Sequence, residues 1–233
     1  MFPSLATGRP TRLGDVDVIS AGAIASALVS ALLWCPDVTA DLRVLDDDVG
    51  ELSNLNRNMQ QRAGYEGQPK VEILARSSTS RLRIAGVNAR FPETNREGIL
   101  PLAERVAVGV DHIPARWWVQ EEWPANLYIG ATTNYEAIVT THHPGEPCAG
   151  CAHPHPLQLA EDQFVPTISY ISFWAGLLQA CALMEEVADR RPARRITVYP
   201  HGLGEKHWYR TSELPTGAQC AIGCMTSRAV QAA

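Results

Sequence analysis

Five polar residues in the first half of the chain, Asp46, Asn54, Arg57, Lys70 and Asp111, have the types that chemistry at a polyphosphate needs. Asp46 closes the run "LRVLD". A carboxylate at such a strand end accepts hydrogen bonds from ribose hydroxyls, and taken alone it suits NAD equally well. NAD has no need of Arg57 and Lys70 close behind, of Asn54 beside them, or of a lone carboxylate, Asp111, on a neighbouring strand. Two cations neutralise a polyphosphate, and an amide with a carboxylate can hold Mg2+ through oxygen. The set therefore resembles a site for displacement at phosphate and favours ATP.

A second group of residues has metal chemistry. Cys148 and Cys151 stand in "PCAGC", and Cys220 and Cys224 in "QCAIGC". Four thiolates close a tetrahedral Zn2+ site and leave no position for water, so the metal would be structural. The alternative is four unrelated small core residues, and the second pair is one residue longer than the Cys-x-x-Cys knuckle. Cys35 and Cys181 lie in apolar helical runs, where a thiol is usually inert.

These residues need a scaffold that brings them together. The spacing predicts strands at "DVDVIS", "LRVLD", "GVNARF", "RVAVGVD" and "NLYIGAT", with helices at Ala23–Trp34, Pro69–Arg81 and Ala115–Trp123 between them. That alternation implies an α/β, doubly wound, Rossmann-like and mostly parallel sheet. A hairpin-like strand "YEAIVTTHH", an apolar helix from Ser169 and strands "ITVYP" and "HWYRT" extend it in antiparallel fashion through a zinc-stapled region of about residues 135–224. One domain over 1–233 is expected. Ligands of such sheets bind at the carboxyl ends of the strands, which places Ser20–Ser26, Asp46–Arg57 and Asp111 around one crevice.

The first of these loops departs from a G-x-G-x-x-G fingerprint. Only Gly22 remains, and Ser20 and Ala25 replace glycines. A small residue such as Ala25 suffices for helix packing, but Ser20 implies either a turn with negative φ or weakened nucleotide binding.

Composition excludes several classes. With 45% hydrophobic and 19% charged residues the chain is globular, and a net charge of -5 gives no footprint for nucleic acid. The amino terminus has no signal-peptide core, and the apolar stretch Ile168–Val187 is broken by Ser172, Gln179, Glu185 and Glu186. No membrane partner and a cytoplasmic location are expected.

"LDDDVGELSNLNRN" followed by "GQPK" resembles the D-x-D-x-V-x-x-S-N-L-x-R-Q and G-x-x-K segments of the ThiF/MoeB-type, ubiquitin-activating-enzyme-like adenylyltransferases. "VDHIPAR" is similar to their strand-end aspartate with its downstream arginine, and "HPGEPCAGC" with "CAIGC" to their zinc pairs. The resemblance runs in order over about residues 15–224. It implies that Asp46 holds the ribose and that Asn54, Arg57 and Lys70 grip the triphosphate. Asp111 binds Mg2+, and Gly22 and Ala23 admit the nucleotide to the backbone. Asp48, the second aspartate of the first motif, joins the ATP-binding set, and Arg57, Lys70 and Asp111 become the catalytic candidates.

The implied reaction is ATP- and Mg2+-dependent adenylation of the C-terminal carboxylate of a small ubiquitin-like or sulfur-carrier protein, or of a peptide ending in glycine, by a homodimer. The crowding of Ile168, Ile171, Phe173, Trp174, Leu177 and Leu178 agrees with an association surface. No cysteine lies in "HPHPLQLAEDQFVPTIS", where thioester-forming members carry theirs, so direct transfer from the adenylate is expected. The histidines of "THHP" and "HPHP" are expected at the surface, neutral and not bound to metal. A degenerate zinc-stapled scaffold, or adenylation of a small-molecule or RNA-borne carboxylate, remain as alternatives.

Overall fold

Strand β1 (Thr11–Ile19) is buried over its last four residues, as a central strand must be. In the computed structural model it lies inside one eight-stranded sheet. The structure describes residues 10–92, 94–133, 135–154, 169–187, 194–200, 208–214 and 220–224. After β1 come α1 (Ala23–Trp34), β2 (Val38–Asp46), α2 (Lys70–Ala75), β3 (Leu82–Asn88), β4 (Arg105–Val108), α3 (Ile113–Gln120) and β5 (Asn126–Thr133). Then follow β6 (Glu136–His142), α4 (Ala149–Ala152), α5 (Ser169–Val187), β7 (Arg195–Val198) and β8 (Tyr209–Ser212).

The strand order is β3-β2-β1-β4-β5-β6-β7-β8. The five strands from β3 to β5 are parallel, and β6, β7 and β8 join antiparallel. The chain leaves β1 toward β2 and β3, then returns to pair β4 on the other side of β1. That reversal is the topological switch point, and it puts the residues after β1 and β4 on either side of one crevice.

Alternation assigns the two faces of the sheet. Val16, Val18, Leu42 and Val44 pack with Leu28 and Leu32 of α1 and Leu183 of α5. Their neighbours Ile19, Leu45, Val106, Val108, Leu127 and Ile129 pack on the opposite side with Val119 of α3. Helices α1 and α5 touch at Gly176, where a Cβ would meet the Ile24 carbonyl oxygen and lie 2.6 Å from both Ala27 Cβ and Leu28 N. Only glycine fits there, and this approach fixes the first turn of α1 against the sheet.

The predicted elements are present with shifted ends. Strand β1 begins four residues before "DVDVIS", and β2 begins at Val38 because its first half pairs with β1 from Thr11 onward. The predicted helix from Pro69 to Arg81 stops at Ala75. Ser78 and Thr79 end it by exchanging side-chain hydrogen bonds with Ile84 and Leu82, which also pulls β3 forward to Leu82. Strand β4 is only four residues long, so Asp111 stands beyond it on the approach to α3. The apolar set on α5 is largely used within the chain: Ile171 and Leu178 are buried, and Phe173, Trp174 and Leu177 are half-buried. Ile168 and His155 lie outside the described residues, as do most of "HPHPLQLAEDQFVPTIS" and the first residue of "HWYRT". Among the described residues, no helix is long and apolar enough to cross a membrane.

Candidate nucleotide site and metal centre

At the carboxyl end of β1 the chain makes a tight turn into α1. Ser20 takes φ +108°, in the region that favours glycine, so the turn does not use the negative φ that a serine prefers. Two hydrogen bonds hold it there. Ser20 N–H donates to the Leu45 carbonyl at 2.8 Å, and its Oγ accepts the Gly22 N–H at 3.0 Å. Gly22, by contrast, has φ -77° and caps α1 in an extended conformation any residue could adopt. A Cβ there would stand 3.2 Å from Ser20 Oγ, so the hydroxyl would have to shift slightly to admit it. The conformational demand of the loop has thus fallen on the serine.

Asp46 closes β2 beside this turn. Its Oδ2 accepts the Ala21 N–H at 2.5 Å and its Oδ1 accepts the Asp48 N–H at 2.8 Å. Two backbone donors fix the carboxylate while each oxygen keeps a second lone pair for a hydroxyl. Residues 48–50 then pair with the "GQPK" segment. Lys70 N–H donates to the Asp48 carbonyl at 2.9 Å, Val49 bridges Pro69, and Gly50 N–H donates to Gln68 at 2.8 Å. This pairing brings the Lys70 ammonium 2.6 Å from Asp48 Oδ2. Asp46, Asp48 and Lys70, separated by up to 24 positions in the chain, therefore meet at one edge, next to Ala21 and Gly22.

Asn54 and Arg57 occupy the intervening turn. Asn54 is buried, and its Oδ1 accepts the Glu51 N–H at 3.0 Å, so the side chain closes its own 3-10 turn at Leu52–Asn54. Arg57 Nη1 donates to the Ser53 carbonyl at 2.7 Å and to Asn56 Oδ1 at 2.9 Å. Its guanidinium rests on its own turn rather than on Asp48 or Lys70. Asp111 is exposed beyond β4, across the switch point from Ser20–Gly22.

Several polar residues at this edge escaped the sequence reading. Ser26 and Ser30 of α1 share hydrogen bonds with Gln60. Asn58 and Gln61, both buried, line a small pocket with Ser26 and Lys70, and among the described residues Asn58 Oδ1 and Gln61 Nε2 have no hydrogen-bond partner. Gln179, which reads in sequence only as an interruption of an apolar helix, donates from Nε2 to the Val108 and Tyr128 carbonyls at 2.9 and 3.0 Å. Arg116, the arginine downstream of Asp111 in "VDHIPAR", has partners that the sequence does not show. Its Nε and Nη2 both donate to the Val110 carbonyl, at 3.0 and 2.8 Å. Burial pushes this guanidinium down to about 10, with the Asp111 charge acting the other way, so it stays charged at neutral pH.

The four cysteines of the two pairs converge. All four Sγ atoms lie within 4.8 Å of one another. Cys148 is 3.8 Å from Cys151 and 3.4 Å from Cys220, and Cys151 is 3.4 Å from Cys224. A zinc ion at about 2.3 Å from each sulfur would separate them by about 3.8 Å, so the donor set fits that metal. The extra residue of the second pair is absorbed by Gly223, which turns at φ +57°. Burial, then the neighbouring Cys220 sulfur, pushes the Cys148 thiol up, and burial pushes Cys151 up to about 11.

Two of the neighbouring histidines, His142 and His153, are neutral but not superficial. His142 is buried, with Nδ1 2.9 Å from the Pro147 carbonyl and Nε2 2.9 Å from Thr140 Oγ1, and burial lowers it to about 4. His153, at the end of α4, is lowered to about 4 by burial and then by Arg116. The expectation of surface histidines is corrected for these two: the His142 ring fastens the loop before Cys148, and the His153 ring faces Arg116 of α3. Among the described residues, the groupings suited to metal are the four cysteines and the carboxylates Asp46–Asp48.

The profile of the ThiF family matches residues 15–211. The "Adenylyltransferase and sulfurtransferase MOCS3-1" of Zea mays is 25% identical over 177 residues, 73% of this chain and 37% of that protein. The "SAMP-activating enzyme E1" of Haloferax volcanii is 26% identical over 187 residues, 76% of this chain and 68% of that one. A solved structure of E. coli MccB with AMPCPP and MccA aligns with a TM-score of 0.71 at 18% identity, covering 89% of this chain and 66% of that one. That likeness shows the fold. The chain spans 37% of the length of the maize relative.

Proposed function

The chain belongs to the ThiF family, and from that premise we propose that it adenylates a carboxylate with ATP, as one adenylation domain. The substrate class is the C-terminal carboxylate of a small ubiquitin-like or sulfur-carrier protein, or of a peptide ending in glycine. The observation that carries this reading is the pairing of residues 48–50 with "GQPK", which sets the Lys70 ammonium beside Asp48 and Asp46 at the end of β2, next to the turn after β1.

In the reaction, a carboxylate oxygen forms a bond to the α-phosphorus of ATP, and the bond from that phosphorus to the bridging oxygen breaks. The products are an acyl-adenylate and pyrophosphate. Asp46, held by two backbone amides, accepts from the ribose hydroxyls and sets the register of the nucleotide. Lys70 exchanges Asp48 for a phosphate oxygen, and Arg57 leaves its own turn to do the same. Both oppose the charge that gathers on the departing pyrophosphate. Asp111 would hold magnesium, which would supply further charge neutralisation there. The test is incubation with ATP and a glycine-terminated partner: adenylate on that terminus and AMP after its breakdown are expected, and ATP left intact would refute the reading.

One observation favours a second reading, a nucleotide-free scaffold. Ser20 Oγ already occupies the Gly22 N–H that a glycine loop would leave for phosphate. Failure to bind ATP at millimolar concentration would select it.

A homodimer belongs to the same proposal. Val49, Leu52, Leu55 and Met59 are exposed on the segment that carries Asn54 and Arg57, Leu52 by 65%, and Trp34 is 61% exposed. Light scattering at micromolar concentration is expected to give twice the chain mass of 25.4 kDa. A single chain mass would remove this part.

A further inference from the structure

Helix α3 connects the two centres. Its first turn follows Asp111 directly, and its inner face meets the cysteine knuckle through three side chains. Gln120 Oε1 accepts the Ala149 N–H at 3.0 Å, beside Cys148. Trp117 Nε1 donates to the His153 carbonyl at 3.0 Å, at the end of α4. Arg116, one residue before Trp117, has Nη1 3.4 Å from His153 Nε2 and two donors on the Val110 carbonyl, the last carbonyl before Asp111. Arg116 and Gln120 are buried, so neither contact is exchanged for water.

We propose that Arg116 is a positioning residue, which fixes the backbone before Asp111 and holds it in register with the cysteine knuckle. The proposal rests on the reading of Asp111 as the magnesium carboxylate. Two parallel N–H groups on one carbonyl define its direction as well as its distance, which a single ammonium cannot do. Asp111 itself is exposed, so nothing packed around its side chain sets its place. The fork on Val110 does that from behind, and the knuckle prevents the fork from turning. A metal ligand misplaced by a fraction of an ångström loses much of its value.

The experiment measures ATP affinity by calorimetry as a function of Mg2+, which requires no acceptor protein, alongside zinc content and thermal midpoint. Arg116→Met keeps length and burial but removes the fork. It is expected to raise the Mg2+ needed for half-maximal enhancement of ATP binding about tenfold while one zinc per chain is retained. Arg116→Lys is expected to recover only part of that shift, and Trp117→Phe to move it about threefold in the same direction. Should Arg116→Met fail to fold, Trp117→Phe decides. A lowered midpoint with unchanged Mg2+ dependence in the folded variant overturns the proposal and leaves Arg116 as core packing. Asp111→Asn separates the two claims: if it too keeps the normal Mg2+ dependence, the magnesium reading itself fails. If Asp111→Asn loses that dependence while the folded Arg116 or Trp117 variant keeps it, only the positioning role fails.

Discussion

Asp111→Ala is expected to lower adenylate formation about a thousandfold, which is about 4 kcal/mol of transition-state stabilisation. The side chain is exposed beyond the four-residue β4 and packs against no core cluster, so fold and zinc content should persist. Lys70→Ala and Arg57→Ala are expected to act in the same direction through the phosphates. Lys70→Ala breaks the ion pair to Asp48, but Asp48 is largely exposed, and such a pair is worth at most about 1 kcal/mol of stability. Loss of activity would therefore far exceed loss of fold. Cys35→Ala and Cys181→Ala should leave adenylation intact. Burial pushes both thiols up, Cys181 to about 11, and neither is a ready nucleophile at neutral pH. Adenylate formation at the normal rate in Asp111→Ala, or its complete loss in folded Cys181→Ala, would reopen the assignment.

Cys224→Ser is expected to be the most damaging change to the fold. Among the described residues, 220–224 are tied to the body of the protein through the sulfurs, an Ala221 N–H to Gly150 carbonyl contact at 3.4 Å and the packing of Ile222 on the cysteine cluster. A structural zinc contributes its binding free energy to folding. Losing one of four ligands should remove several kcal/mol, or about 10–20 °C of thermal midpoint in a protein of this size. Exhaustive chelation should do the same to the unmutated chain. Metal analysis of protein never exposed to chelator should find one zinc per chain, and less than half an equivalent would contradict the assignment.

The element order and the grouping of the site were legible because they rest on short-range signals. Alternating apolar runs named the strands, and the residues at or just after their ends named Asp46 and Asp111, while Asp48 came with the motif. The pairing of the cysteines was legible from two short spacings. Ends and orientations were less so. The helix after Lys70 breaks early because Ser78 and Thr79 bond forward to β3, a competition that helical periodicity does not register. Ser20 read as either a turn with negative φ or a weakened nucleotide loop, and the Leu45 carbonyl and the Gly22 N–H, neither visible from the loop's spacing, hold it at positive φ. Gln179 was hidden for a different reason: it satisfies backbone carbonyls of two strands remote in sequence, and only the packed fold brings those partners near. Arg116 was legible as the arginine downstream of Asp111, but its two hydrogen bonds to the Val110 carbonyl were not. Asn54 and Arg57 have the expected types, yet both are engaged with their own turn.

The central claim is that this chain activates a carboxylate as an adenylate, and ATP–pyrophosphate exchange measures that step alone. With Mg2+ and a carrier protein or peptide ending in glycine, labelled pyrophosphate is expected to enter ATP. Exchange should vanish when the terminal carboxylate is amidated and fall about a thousandfold in Asp111→Ala. Exchange that ignores the carboxylate, or none at all from protein that binds no ATP at millimolar concentration, would contradict the account.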